Sequence, residues 1–231
     1  MLRVARIAAV LALGVLIAPA WADEVDDVMK KVAEAAKKLK SFSCKMETKT
    51  NMDMGGGNFS RSEMTGTTEV VRRGDKTYMR TEIKGETHMN FGGQEQKMES
   101  KSLIVSDGEF TWTESEAMGQ KSVIKTKSEE AAPEAQIEAI RKDHNVKLLP
   151  DQKVDGHDCY VLEATPKQAS MGGPTKMHLL MCKKTGLTLK TVGFDAEGKE
   201  TMVVLMKDVK LDPDLPADRF KYTPPSGVQV K

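Results

Sequence analysis

From Ser41 the chain alternates. Phe42, Cys44, Met46, Thr48 and Met52 fall on one side of an extended backbone, and Ser43, Lys45, Glu47, Lys49 and Asn51 on the other. A period of two predicts a half-buried β-strand. Similar runs are expected over residues 67–72, 77–84, 101–106, 109–114, 120–127, 158–165, 176–183, 187–194 and 201–209. Turn signals separate them: Gly55-Gly56-Gly57, Gly74-Asp75, Asp107-Gly108, Asp155-Gly156 and Asp195-Ala196-Glu197-Gly198. The polar, Met-containing stretch 85–99 reads as a long hairpin tip or mobile flap, and 168–175 as a Gly-Pro loop.

Two segments have helical spacing instead. Val25, Val28, Met29, Val32, Ala36 and Leu39 form one apolar stripe over residues 23–40. Its acids crowd the start and its lysines the end, which suits the helix dipole. A shorter helix is expected over 133–144, with Pro133 in its first turn and Ile137 and Ile140 as its stripe.

The first residues are not part of the fold. Arg3 and Arg6 precede an apolar run over 7–17, and Ala20-Trp21-Ala22 supplies a small-residue cleavage site. Residues 1–22 thus read as a secretory signal peptide, and 23–231 as a single domain. Of 35 Lys+Arg, two lie in that leader, which leaves 33 against 34 Asp+Glu. Near-neutral charge gives no electrostatic case for nucleic acid.

Catalytic and metal-ligand patterns are missing from the sequence. His88, His144, His157 and His178 show no paired-ligand spacing, and there is no C-x-x-C, G-x-S-x-G, phosphate loop or dinucleotide fingerprint. The expectation is a non-enzyme with neither cofactor nor metal. Cys44, Cys159 and Cys182 allow one disulfide in an exported chain. If strands 158–165 and 176–183 pair across their loop, Cys159 meets Cys182, Tyr160 meets Met181, Leu162 meets Leu179, Glu163 meets His178 and Ala164 meets Met177. A Cys159–Cys182 disulfide is expected, with Cys44 free.

Three stretches carry a family resemblance. An amphipathic helix runs through Leu39-Lys40-Ser41-Phe42 into a strand. An aliphatic strand at 102–106 turns at Asp107-Gly108 into Phe110 and Trp112. The C-terminal hairpin leads to Tyr222 and then Pro224-Pro225-Ser226-Gly227-Val228. This arrangement resembles periplasmic lipoprotein carriers of the LolA type. The resemblance implies a mainly β fold with some α. A curved antiparallel sheet, a half-open β-barrel, would wrap around a few helices. It also implies a soluble, monomeric periplasmic carrier. Its cargo would be lipid or lipoprotein acyl chains, exchanged with handover proteins at the inner and outer membranes. Membrane contact would be peripheral at most. The rival on the same fold is a sensor or interaction module that binds lipidated or envelope-stress partners.

Methionine is not a preferred strand residue, yet many of the 15 lie on expected strands. Met is adaptable and suits varied apolar partners. The candidate lipid-binding residues are Phe42, Met46, Met79, Phe91, Trp112, Tyr160, Leu162, Met177, Leu179 and Met181. Arg80 stands nearest to the family's cavity-mouth arginine, although no proline follows it here.

Overall fold

The computed structural model describes residues 20–128, 133–168 and 173–231, with side chains described from 24 in the first helix and from 138 in the second. Helix α1 (Ala20–Lys38) precedes strands β1 (Ser41–Gly55), β2 (Asn58–Arg73), β3 (Lys76–Phe91), β4 (Gln94–Ser106), β5 (Phe110–Ala117) and β6 (Gln120–Lys127). Helix α2 (Pro133–Asp143) follows, then β7 (His144–Val154), β8 (His157–Pro166), β9 (Lys176–Cys182), β10 (Thr188–Phe194) and β11 (Glu200–Leu211). All eleven strands form one antiparallel sheet in the order β6-β5-β4-β3-β2-β1-β11-β10-β9-β8-β7. The sheet does not close, so β6 and β7 remain its edges. The open antiparallel architecture agrees with the expected half-open barrel. The leader expected over 1–22 lies mostly outside the described residues, and α1 begins at Ala20.

α1 lies on one face of β7–β9. Its stripe, Val25, Val28, Met29 and Val32, is buried against Leu162 and Met181, with Tyr160, Leu179, Val146, Leu148 and Ile140 around them. The helix sits close. A Cβ on Gly186 would stand 2.4 Å from the Val32 carbonyl oxygen, so this turn accepts only glycine. Arg72 reaches from β2 and donates to the Ala36 carbonyl at 2.6 Å, placing a cation at the helix C-terminus. On the reverse of the same strands a second cluster joins Val154, Cys159, Val161, Leu180, Cys182 and Leu189. Strands β8 and β9 are therefore buried on both sides.

The segment after β11 leaves the sheet. It crosses the reverse face through a short 3-10 turn, Ala217–Phe220, and Phe220 is buried against Tyr78 in an edge-on ring contact at 6.1 Å. Arg219 grips Glu69, and Tyr222 donates to Glu114 at 2.7 Å and packs on Trp112. The last residues lie parallel to the β6 edge: Lys231 N–H donates to Val123 O at 3.0 Å, and Lys125 N–H to Lys231 O at 2.9 Å. The tail thus shields part of an edge that would otherwise offer unpaired backbone.

Of the two expectations for residues 85–99, the long hairpin tip is found and the flap is not: β3 runs unbroken to Phe91 and pairs with β4 from Gly85↔Ser100 to Phe91↔Gln94. The alternation of Thr87, Met89 and Phe91 with His88 and Asn90 continues to the Gly92-Gly93 turn. Strand β7 had no counterpart in the sequence reading, because Pro150 and a bulge between Leu149 and Gln152 interrupt its pattern. An edge strand tolerates both. The β8–β9 register is the expected one, including Cys159↔Cys182, but the disulfide is not formed. All three thiols are free and buried, and Cys159 Sγ points to His157 O at 3.5 Å. Both cysteines serve the reverse-face core as small apolar groups.

Strands β2 and β3 approach closely at two glycines. A Cβ on Gly66 would lie 2.0 Å from Glu82 O, and one on Gly85 would lie 2.1 Å from Glu63 O. Both obstacles are backbone and cannot rotate away. Gly66→Ala should destabilise the fold by about 3 kcal/mol in urea denaturation, whereas Thr65→Val at the exposed neighbouring position should change it by less than about 0.5 kcal/mol.

Candidate functional site

Direct partners in a ladder share a face, and successive residues alternate between faces. The register can therefore be followed across the sheet. One row starts under α1 with Leu148, Leu162 and Leu179, and passes Thr191 and Val204 to Thr48. It continues through Met64, Gly85, Ser100 and Ala117 to Gln120 on β6. The next row runs Met206, Met46, Gly66, Ile83, Ser102, Ser115 and Ser122. Neither contains a charge.

The same holds for every position on this face of β1–β6 over 42–52, 60–70, 77–91, 94–106, 111–117 and 120–126. The residues are Met, Thr, Ser, Gly, Gln, Ala, Ile, Val, Phe and Cys. Met46, Met52, Met64, Met79, Met89 and Met98 all lie here, and Met177, Met181, Met202 and Met206 continue the face on β9 and β11. Most are half-buried. Hydroxyls on the face bond sideways. Thr68 Oγ1 lies 3.1 Å from Thr81 Oγ1 and donates to Met46 Sδ at 2.9 Å, and Ser128 Oγ joins Ser106 and Thr111. Their polar atoms are partly satisfied before any ligand arrives.

The reverse face is the opposite in character. Its corresponding row reads Glu47, Thr65, Lys84, Lys101, Glu116 and Lys121. An open trough of about 710 Å³ runs along it, lined by Lys45, Arg80, Lys84, Lys101 and Lys121 and by Glu47, Glu82, Glu114 and Glu116. Most of these charges are paired: Lys45 with Asp208 at 2.7 Å, Arg80 with Glu82 at 2.6 Å, Lys207 with Glu47 at 2.8 Å and Lys121 with Glu114 at 3.2 Å. Where the tail covers this face, burial and then the hydrogen bond to Glu114 push the Tyr222 hydroxyl well above the usual tyrosine range.

The candidate residues divide accordingly. Phe42, Met46, Met79, Phe91, Tyr160, Leu162, Met177, Leu179 and Met181 share the uncharged face. Within it, Leu162 and Met181 are core beneath α1, Phe42 is buried at the foot of β1, and Met46 and Met79 lie on the part beyond the helix. Arg80 and Trp112 are on the charged face, in the row Glu69, Arg80, Val105 and Trp112. Arg80 also donates to Arg219 O at 3.4 Å, so it holds the C-terminal segment. Sequence reasoning missed Met64, Ile83 and the Ser/Thr positions between them. Their signal was the strict absence of charge at alternate residues. Among the described residues, no three His, Cys, Asp or Glu side chains come together as a metal site would require.

Comparison with known proteins gives three findings. The model of a family described as "Family of unknown function (DUF6612)" matches residues 24–176. Among curated proteins, an "Outer-membrane lipoprotein carrier protein" of Nitrosomonas europaea is 28% identical over 202 residues, 86% of this chain and 89% of that one. An "Uncharacterized protein MJ0687" of Methanocaldococcus jannaschii is 31% identical over 94 residues, so the match covers 41% of this chain but 25% of that protein. Among solved structures, an uncharacterized conserved protein from Thermus thermophilus superposes with a TM-score of 0.53 at 11% identity, covering 90% of this chain and 98% of that one. The last likeness is one of fold.

The buried thiols give a test of the packing on both faces. Burial pushes Cys44, on the uncharged face, up to about 11, and Cys159, on the reverse face, also to about 11 with Cys182 contributing. Raised folded-state values mean that stability is level below the ordinary thiol value, 9.0, and falls as pH rises to about 11. Urea midpoints at about pH 8 and about pH 10.5 should differ less for a Cys44→Ala/Cys159→Ala variant than for the wild type.

Proposed function

The chain belongs to the Family of unknown function DUF6612, and for this member we propose a non-catalytic periplasmic carrier that holds lipid or lipoprotein acyl chains on the uncharged face and passes them towards the outer membrane. The observation that carries this reading is the face of β1–β6, free of charge beyond Arg72, whose guanidinium is taken up by the Ala36 carbonyl at the end of α1. An unpaired charge beside an acyl chain costs several kcal/mol, while each CH₂ removed from water contributes about 0.8 kcal/mol. A surface that excludes charge over six strands, and is lined by adaptable methionines, suits such a chain. The charged trough does not. The resemblance to the Nitrosomonas carrier over most of both chains supports the same class.

In this proposal Met46, Met79 and Phe91 contact the cargo together with Met64 and Ile83. Leu162, Leu179 and Met181 seat α1, which forms the wall of the site, and Tyr160 and Met177 lie at its margin. The carrier is exported through the leader at 1–22 and works in the periplasm. Cys44 lines the foot of the face as an apolar group. The handover partners sit at the two membranes. The rival interaction module would use the same face for a protein segment and would carry no lipid.

Native mass spectrometry of protein purified from the periplasm, followed by lipid extraction, should recover an acylated ligand. A fluorescent fatty acid should bind, and Ile83→Asp should weaken it at least about tenfold. Lys84→Asp, one residue away on the charged face, should stay within about twofold. Circular dichroism checks that both variants fold. Equal effects of the two substitutions, or no binding by the folded wild type, would sink the carrier reading.

A further inference from the structure

Strands β1 to β6 are neighbours in chain order, so the β1–β2, β3–β4 and β5–β6 turns lie along one rim of the sheet and the β2–β3 and β4–β5 turns along the other. The two rims differ. The second carries Arg73, Asp75 and Lys76 in one turn and Asp107 and Glu109 in the next. The first has no charge over 54–60, 89–94 or 117–120. It exposes large apolar side chains instead: Met52 at 39%, Met54 at 48%, Phe91 at 51% and Met118 at 82%. Among the described residues, seven large apolar side chains are 38% exposed or more, and four of them are on this rim.

Met118 is the telling case. It occupies the first position of a two-residue turn with φ of 52°, followed by Gly119 at 74°. Such a turn favours Asn or Asp there, and a left-handed methionine is strained. Packing does not explain the choice, because the side chain is in solvent. The rim is also a unit: Gly92 N–H donates to Asn58 Oδ1 at 2.8 Å, tying the second turn to the first.

We infer that this rim docks on the surface of a lipid bilayer. The tips stand two strands apart, roughly 10 Å, and so span about 20 Å in a line. The hollow beside the third tip, about 200 Å³, is lined by Lys97, Glu99, Lys101 and Glu116 and does not suit an apolar partner, whereas each separated apolar tip can sink into a fluid interface. Met52 and Phe91 belong to the uncharged face, so the rim is continuous with the surface proposed to hold acyl chains. The inference rests on that proposal for the direction of lipid traffic, though not for the docking itself. The charges nearest the tips are of both signs, Asp53, Glu95 and Glu116 against Arg61 and Lys121. Insertion rather than attraction to anionic lipid is therefore the driving term.

The test is co-flotation of the purified protein with phosphatidylcholine vesicles at low and high salt. The wild type should float with the vesicles at both. A Met54→Ser/Phe91→Ser/Met118→Asn variant should partition about tenfold less while keeping its circular dichroism spectrum, and a Met54→Ser/Met118→Asn variant, which leaves the cargo-contacting Phe91 in place, should also keep its affinity for a fluorescent fatty acid. Met118→Asn alone should raise the denaturation midpoint, since Asn tolerates the left-handed turn. Emission of a Met118→Trp variant should shift to the blue on adding vesicles. Vesicle binding without fatty-acid binding would fail the carrier reading and leave the docking rim standing. The inference is overturned if the wild type does not float, if binding disappears in high salt, or if the triple variant floats equally. It is also overturned if the rim instead joins two copies, seen as a doubled sedimentation mass that the triple variant abolishes.

Discussion

Everything about this molecule depends on a register that does not slip. Side chains of a strand alternate with a period of two, so a shift of one residue in any ladder from β1 to β6 would exchange the faces of every strand beyond it. The uncharged face would then acquire Lys84, Lys101 and Glu116, and the methionines would turn to the other side. Two features hold the pairing in place. Short glycine turns fix each hairpin, with Gly92-Gly93 and Gly55-Gly56-Gly57 at positive φ. Gly66 and Gly85 interlock β2 and β3 at a distance no other residue permits. On the reverse face, Lys49–Glu63, Lys97–Glu86 and Lys121–Glu116 join neighbouring strands. Exposed pairs of this kind add little stability. Nor do they select the register, because Lys84↔Lys101 and Glu86↔Glu99 stand directly opposite each other in the native ladder.

The two halves of the sheet use this register differently. Strands β8 and β9 are buried on both sides, by α1 on one and by the cysteine-containing cluster on the other. That half is ordinary core. In the β1–β6 half the C-terminal segment packs on the charged face only, where Phe220 covers the foot of β3 and Tyr222 rests on Trp112. The anchorage comes from the side where charges and aromatics already provide partners. The uncharged face beyond α1 keeps its half-buried methionines and hydroxyls.

How much of this the sequence revealed follows from how local each signal is. The alternation from Phe42 to Met52, the Asp107-Gly108 turn and the stripe of α1 are contained within a few residues, and each is found where it was read. The Cys159↔Cys182 register was equally legible, because one loop and a consistent face determine it. Whether the thiols join is not a matter of register, and here they stay apart. Arg80 and Trp112 were harder. Each looks suited to a site when taken alone, and only the parity of four consecutive ladders shows that they lie on the other face, under the tail. The sequence reading looked for large apolar side chains, whereas the distinguishing property of the face is the charge it lacks. That property emerges only when six strands are aligned side by side.

The composition of the face also bears on release. A lining of leucine and phenylalanine would hold an acyl chain more tightly, but exposed when empty it would be a broad apolar surface prone to association. Here Thr68, Thr81, Ser106, Thr111 and Ser128 satisfy one another and present methyl groups and small polar edges, with methionines interspersed. Such a surface costs less to leave wet than a hydrocarbon one, and binds a chain less strongly per unit area. For the carrier proposed above that is the useful balance, because cargo held at the full value of its buried CH₂ groups would not leave for a membrane that offers no more. In the proposed carrier the adaptable thioethers would accommodate chains of different length without a fixed pocket, and the absence of charge would remove the one feature that excludes them.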